Sequence, residues 1–201
     1  MGAQVGIALE RMREVLETGD AAVAAEAVAA DDQVDAMLVS LTEQVYDLIR
    51  RESPVASDLR YLVSVLRVLE EFERIADLSL RVVKHAAVRP TGTADEDIQA
   101  ALISMADISQ TLFRIALTAW SSQDPEAVAD LAIRKSSVDE IEKGLVERIL
   151  RLEGPEAVGT AVTAVLVSRS LERIADHTVI VGERPRYLLT GNPEYLASEI
   201  R

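Results

Sequence analysis

The pentapeptide Glu-Arg-Ile-Ala-Asp occurs twice in this chain, at residues 73–77 and again, letter for letter, at residues 172–176. Each copy lies in a long segment whose apolar residues recur three and four positions apart, which is the period of one face of an α-helix. The second copy follows the first by 99 residues, a separation typical of a duplicated structural unit. The sequence therefore predicts two similar helical halves.

Two further correspondences support a duplication. The dipeptide Val-Asp at residues 34–35 matches the one at 138–139 with a spacing of 104 residues, and Pro54 matches Pro155 with a spacing of 101. Such small changes in spacing are expected where connecting loops differ in length between two copies of one unit. The halves are therefore expected to share their helix order.

Short runs of Gly, Pro, Ser and Asp divide the chain into six periodic segments, since these residues cap or interrupt helices. We expect helices near residues 4–18, 20–51, 55–87, 95–122, 125–153 and 156–190. The predicted fold class is all-α, with two tandem homologous three-helix bundles. We assign residues 1–88 to the first three-helix repeat, 89–93 to a linker, 94–190 to the second repeat and 191–201 to a C-terminal tail.

The composition narrows the classes of function. A formal net charge of −13 disfavours nucleic acid as a partner, because non-specific binding to phosphates depends on Lys and Arg. The absence of Cys excludes disulfides and thiolate metal sites. The longest apolar stretch, residues 158–167, is too short to cross a bilayer. We expect a soluble, cytoplasmic protein that does not insert into membranes.

A pair of carboxylates interrupts the apolar stripe of each repeated segment. Glu73 falls within the stripe, seven residues from a leucine on either side, and Asp77 lies one helical turn further on the same face. Glu172 and Asp176 repeat this arrangement in the second half. Two like charges one turn apart destabilise a helix, and partial burial adds to the cost unless a cation or hydrogen-bond donors compensate.

The preceding helix of the first half carries another acidic pair, Asp31 and Asp35. If this helix packs antiparallel on the next one across the Ser53–Pro54 turn, the two pairs lie at similar distances from the turn and should meet. In the second half Asp139 corresponds to Asp35, whereas Lys135 takes the place of Asp31.

These carboxylates are candidate metal ligands, because oxygen donors suit hard cations such as Mg²⁺, Mn²⁺, Ca²⁺ or iron. The candidate set is Asp31, Asp35, Glu73, Asp77, Asp139, Glu172 and Asp176. We expect the second cluster to bind metal less well, since the ammonium of Lys135 can neutralise it. The structural alternative is that these pairs are solvated faces or partners of arginines.

The motif pairs and the closing stretch, which runs from Glu172-Arg-Ile-Ala-Asp-His177 to Tyr187-Leu-Leu-Thr-Gly191, resemble the PhoU family over nearly the whole chain. The resemblance implies a cytoplasmic regulator that is not an enzyme and that represses phosphate uptake. It also implies two protein partners, the ATPase subunit of the phosphate ABC transporter and a sensor histidine kinase. Homodimerisation and a divalent or ferric ion at the carboxylates are further implications.

Two other functions remain open on the residues alone: a metal-dependent enzyme or metal store using the same carboxylates, and a purely structural scaffold. A ferritin-like site needs Glu-x-x-His, whereas His177 follows Glu172 by five residues. There is no Gly-rich phosphate loop and no Gly-x-Ser-x-Gly motif. The counterpart of His177 in the first half is Leu78, so we interpret this histidine as a structural hydrogen-bonding residue.

Overall fold

The computed structural model describes residues 1–87, 95–124, 128 and 131–200, and in this part of the chain it contains helices and no strand. The helices are α1 (Gly2–Thr18), α2 (Ala21–Glu52), α3 (Ala56–Ala87), α4 (Glu96–Ser122), α5 (Leu131–Ile149) and α6 (Ala157–Thr190), followed by a 3-10 helix (Pro193–Ile200). The all-α prediction is confirmed. Five of the six expected helices have boundaries within two residues of those predicted.

Helix α5 differs from the expected span of residues 125–153. It ends at Ile149, after which the backbone tightens: the amide of Arg151 donates to the carbonyl of Arg148 and that of Leu152 to Ile149, three residues back rather than four. The expected start at residue 125 lies outside the described residues. So do the linker at 89–93 and the first position of the second repeat.

Local capping explains why the turn signals were informative. Asp20 precedes α2 and its side chain accepts hydrogen bonds from the amides of Ala22 and Val23, at 2.7 and 3.4 Å. Asp95 caps α4 in the same way. At the other end of α6, Gly191 adopts φ +67° and donates its amide to the carbonyl of Tyr187, a left-handed cap that favours glycine.

The third helices of the two repeats, α3 and α6, pack antiparallel at the centre of the molecule, and α1 packs on α4 beside them. Phe72 of α3 meets Phe113 of α4 edge to face, with ring centroids 5.7 Å apart, so the two repeats share one core. Helices α2 and α5 lie outside, and each buries only three residues. The central helices are therefore framed by two outer helices that carry half of each acidic cluster.

The leucines of α2 and α3 that are spaced at helical period are only partly buried. Leu69 and Leu80 belong to the core, but Leu62 and Leu66 are half-buried and Leu48 is exposed. The physical reason is that α1 lies beside the middle of α2 and, at its first residues, beside Phe72 of α3. The halves of α2 and α3 that flank their connecting turn are thus beyond the part of the repeat that α1 covers.

Helix α4 is long and apolar enough to cross a membrane on length and composition alone. Its apolar residues are accounted for by the core, because Ile98, Met105, Leu112 and Ala116 have no exposed surface. A helix that contacts α1, α5 and α6 needs apolar residues on most of its circumference.

Two glycines of α6 provide a matched test of this packing. A Cβ at Gly182 would overlap Leu131 Cδ1 and lie 3.2 Å from Val128 Cγ1, whereas a Cβ at Gly159 would meet no atom within 4 Å. We expect Gly182→Ala to destabilise the protein by about 1–3 kcal/mol through overpacking. Gly159→Ala should stabilise it by roughly 0.5–1 kcal/mol, because alanine loses less backbone entropy than glycine on folding. Urea unfolding measures both changes, and equal effects would contradict the tight contact between α5 and α6.

Candidate functional site

The first acidic cluster consists of Asp31 and Asp35 on α2 with Glu73 and Asp77 on α3. Burial raises the pKa of Asp31, and the charges of Asp35 and Asp77 raise it further, while Lys84 opposes them. Burial also raises the pKa of Glu73, as do the charges of Asp77 and Asp35. Since these charges act from one helix on the other, the structure places all four carboxylates in one neighbourhood.

The side chains of this cluster are not arranged around a common point. Within the described ranges, no group of three or more His, Cys, Asp or Glu residues lies close enough to hold a metal ion. The donor chemistry nevertheless fits a hard cation, because the charges of four carboxylates act on one another with only partial compensation by Lys84 and Arg74. Asp35 and Asp77 are exposed, so their side chains have room to rotate towards an ion.

In the second acidic cluster, formed by Asp139, Glu172 and Asp176, a lysine lies between the carboxylates. Lys135 Nζ is 2.9 Å from Asp139 Oδ1 on the same helix and 3.1 Å from Asp176 Oδ1 on α6. Burial lowers the pKa of Lys135, but hydrogen bonds to the two aspartates outweigh it and leave that pKa above its ordinary value. The ammonium thus supplies the positive charge that a metal would bring.

Glu172 is also paired within the protein. Arg169 Nη1 lies 2.6 Å from Glu172 Oε2 and 3.3 Å from Glu142 Oε1, so one guanidinium joins carboxylates of α5 and α6. Burial and the charge of Glu142 still raise the pKa of Glu172, with Arg169 acting against them. The residues present in this cluster therefore do not fit a metal site.

Sequence reasoning missed Glu142 and Arg169. Their counterparts in the first repeat are Leu38 and Glu70, so neither residue shows up in a search for features common to both halves. A search for positions whose charge differs between the two halves would have found them. The extra ion pair is one more difference that sets the second cluster apart from the first.

Sequence reasoning also missed Glu71, whose carboxylate is buried between the repeats. Its side chain is 8% exposed, and Oε2 lies 2.6 Å from Nδ1 of His177 on α6, so an imidazole N–H donates to the carboxylate. Arg74 lies 3.3 Å from the other oxygen, Oε1. His177, whose side chain is 13% exposed, is thus a partly buried hydrogen-bonding residue.

A cleft of about 560 Å³ opens between α5, α6 and the C-terminal 3-10 helix, beside the second cluster. Its wall contains apolar side chains and charges of both signs, including Arg173, Glu183 and Glu194. Lys135 and Asp176, which also line it, are paired with each other. The cleft is therefore lined by both positive and negative side chains, and its electrostatic potential does not favour an anion over a cation.

The fold and the paired acidic helices together define a class, a six-helix protein of two repeats with carboxylates on the second and third helix of each. The family model for the PhoU domain matches residues 1–86 and 102–184. The chain therefore belongs to the PhoU family, and the resemblance found in the sequence is confirmed.

Individual relatives agree with this assignment. The chain is 29% identical over 187 residues to the phosphate-specific transport system accessory protein PhoU homolog 2 of Mycobacterium tuberculosis, covering 92% of this chain and 88% of the relative. It superposes on the crystal structure of PhoU from Pseudomonas aeruginosa with a TM-score of 0.89 and 25% identity, covering 96% and 93% of the two chains. The phosphate transport system regulatory protein PhoU from Streptococcus pneumoniae has the same fold, with a TM-score of 0.84, 21% identity and coverage of 95% and 90%.

The pKa values of Asp31 and Glu73 are raised. We therefore predict that neutralising these two side chains increases the free energy of unfolding by an amount that depends on pH. We expect the double variant Asp31→Asn, Glu73→Gln to be more stable than the wild type at pH 7 by about 0.5–1 kcal/mol, because repulsion between like charges is removed. The folded wild type binds protons at these groups at higher pH than the unfolded chain does, so its stability falls as pH rises through this range. The variant's advantage should therefore shrink as pH falls through the folded pKa values and vanish below the ordinary carboxyl range.

Urea unfolding of both proteins across this pH range measures the difference. Glu10→Gln on the exposed face of α1 is the matched control and should leave the stability unchanged at every pH. A double variant that is less stable than the wild type at pH 7 would show that the carboxylates are stabilised by partners rather than repelled by one another.

Proposed function

We propose that this protein is a cytoplasmic adaptor, and not an enzyme, that represses phosphate uptake by connecting the ATPase subunit of a phosphate ABC transporter with a sensor histidine kinase. The main support for the proposal is similarity over nearly the full length, in sequence, to relatives named as accessory proteins of the phosphate-specific transport system. A solved structure with the same fold is named as a regulatory protein of phosphate transport.

The surface supports a role in protein binding. Large apolar side chains are exposed next to the turn between α2 and α3 and next to the turn between α5 and α6, with Val55 73%, Leu150 80% and Val158 75% exposed. Apolar side chains grouped on a surface mark sites of protein association. Because α3 and α6 are antiparallel, the two turns lie at opposite ends of the molecule. An adaptor with two partners, or a homodimer with one partner, can use both ends.

Co-purification from cells tests this role. We expect the tagged wild type to recover the transporter's ATPase subunit, and Leu150→Asp with Val158→Asp to lose most of it, because a buried carboxylate at an interface is costly. Glu153→Gln in the same turn is the control and should recover as much as the wild type. Mass spectrometry identifies the proteins, and light scattering of the purified protein reports whether it is a homodimer. Absence of every phosphate transporter component from the wild-type eluate would overturn the proposal.

We also propose that the first acidic cluster binds a divalent or ferric cation, with Asp31, Asp35, Glu73 and Asp77 as its ligands. The ion would supply positive charge that relieves the repulsion between α2 and α3. This proposal is supported by the proximity of four carboxylates and by the raised pKa values of Asp31 and Glu73. In the second cluster Lys135 and Arg169 already provide that charge.

Matched double variants test the inequality of the clusters. Glu73→Gln with Asp77→Asn should abolish most uptake of Mg²⁺, Mn²⁺ or iron, whereas Glu172→Gln with Asp176→Asn should remove little. Lys135→Asp should increase uptake, because it restores the residue type of the first repeat and frees two carboxylates. Calorimetry and elemental analysis measure the bound metal. Equal losses from the two double variants would contradict the role of Lys135, and no loss from either would leave both clusters as solvated faces.

A further inference from the structure

A protein built from two homologous repeats has two ways to form its central interface. Helix α3 can pair with α6 of the same chain, as observed, or each repeat can pair with the like repeat of another chain through α3 with α3 and α6 with α6. Because the repeats share a fold and the pairing is antiparallel, both arrangements offer similar helix packing. A feature that differs between the repeats is needed to distinguish them.

Two contacts show the register of the observed interface. Glu71 of α3 meets His177 of α6, and Arg60 Nη1 of α3 lies 3.5 Å from the carbonyl of Leu188 of α6. Arg60 precedes Glu71 by eleven residues, and Leu188 follows His177 by eleven. In the same register Leu78, seven residues after Glu71, faces Ser170, seven residues before His177. Leu78 and Ser170 are both buried.

These four residues form two pairs of repeat counterparts. With the spacing of 99 residues that relates α3 to α6, Glu71 corresponds to Ser170, and Leu78 corresponds to His177. The approximate twofold axis between the repeats therefore relates the Glu71–His177 contact to the contact of Leu78 with Ser170. One side of the axis carries a hydrogen-bonded polar pair, and the other carries leucine against a serine whose hydroxyl donates to the carbonyl of Leu166.

Like repeats would pair these residues differently. In an α3–α3 interface of the same register, Glu71 of each chain would face Leu78 of the other, which leaves two buried carboxylates without the imidazole donor. In an α6–α6 interface His177 would face Ser170. Burial of a carboxylate against leucine is costly, whereas Arg74 accompanies Glu71 on its own helix in either arrangement and does not distinguish them.

We propose that the Glu71–His177 hydrogen bond selects the pairing of unlike repeats within one chain over the pairing of like repeats between chains. This is the role of a buried polar residue that specifies which helices associate. The inference is independent of the proposed adaptor function, since it concerns how the two repeats of the chain associate. It also explains why the polar contact is present on one side of the axis alone.

Three full-length variants, refolded from urea, test the proposal by their mass in light scattering. Leu78→His with His177→Leu moves the histidine from α6 to α3, so that two contacts between Glu71 and the introduced imidazole become possible between chains and none remains within one. We expect its mass to rise to at least about twice that of the wild type. Glu71→Leu with His177→Leu removes the polar pair, and should give a mixture of the wild-type mass and its multiples.

The matched control is the exchange variant Glu71→His with His177→Glu, which keeps one donor and one acceptor in the unlike pairing and should retain the wild-type mass. A Glu71→Leu, His177→Leu protein found only at the wild-type mass would overturn the proposal. So would an exchange variant that forms multiples as readily as that protein, because the hydrogen-bonded pair would then have no influence on pairing. Circular dichroism during heating confirms which variants fold and gives their shifts in Tm.

Discussion

The antiparallel contact between α3 and α6 constrains where every other helix can lie, because each of them packs against one of these two. Ile75 and Ile174 have no exposed surface, and Ala76 and Ala175 beside them are buried as well. These four residues are the Ile-Ala of the repeated pentapeptide. Its flanking Glu and Asp point instead to the neighbouring outer helix, so one short segment builds both the core and half of each acidic cluster.

This dual role explains how the repeats can differ in chemistry while sharing a fold. The Ile and Ala of the pentapeptide are buried in the core of both repeats. The residues of the outer helix then determine the net charge of each cluster. Asp31 on α2 adds a carboxylate to the first cluster, whereas Lys135 on α5 joins Asp139 and Asp176 in the second. Exchanging one residue on an outer helix changes the electrostatics of a cluster without disturbing the core, because α2 and α5 bury few residues.

Some large apolar side chains of the outer and central helices are exposed on the surface. The ends of both helix pairs, next to their connecting turns, leave large apolar side chains in contact with solvent, such as Tyr46 and Leu150 at corresponding positions of the two repeats. The chain as a whole carries a formal net charge of −13, so these apolar groups lie on an acidic molecule. Exposed apolar groups of this kind support the proposed adaptor role, because such patches mark sites of protein association.

The helices, the duplication and the paired carboxylates could all be predicted from the sequence, because capping, apolar periodicity and repeated motifs are local properties that can be read along the chain. Which of the apolar residues are buried could not, since the burial of Leu66 and Leu48 depends on whether α1 reaches them. The partners of the charges also required the three-dimensional structure. Glu71 and His177 are 106 residues apart, and Arg169 of α6 contacts Glu142 of the neighbouring helix α5. Pairings of this kind depend on the register between packed helices, which no local pattern records.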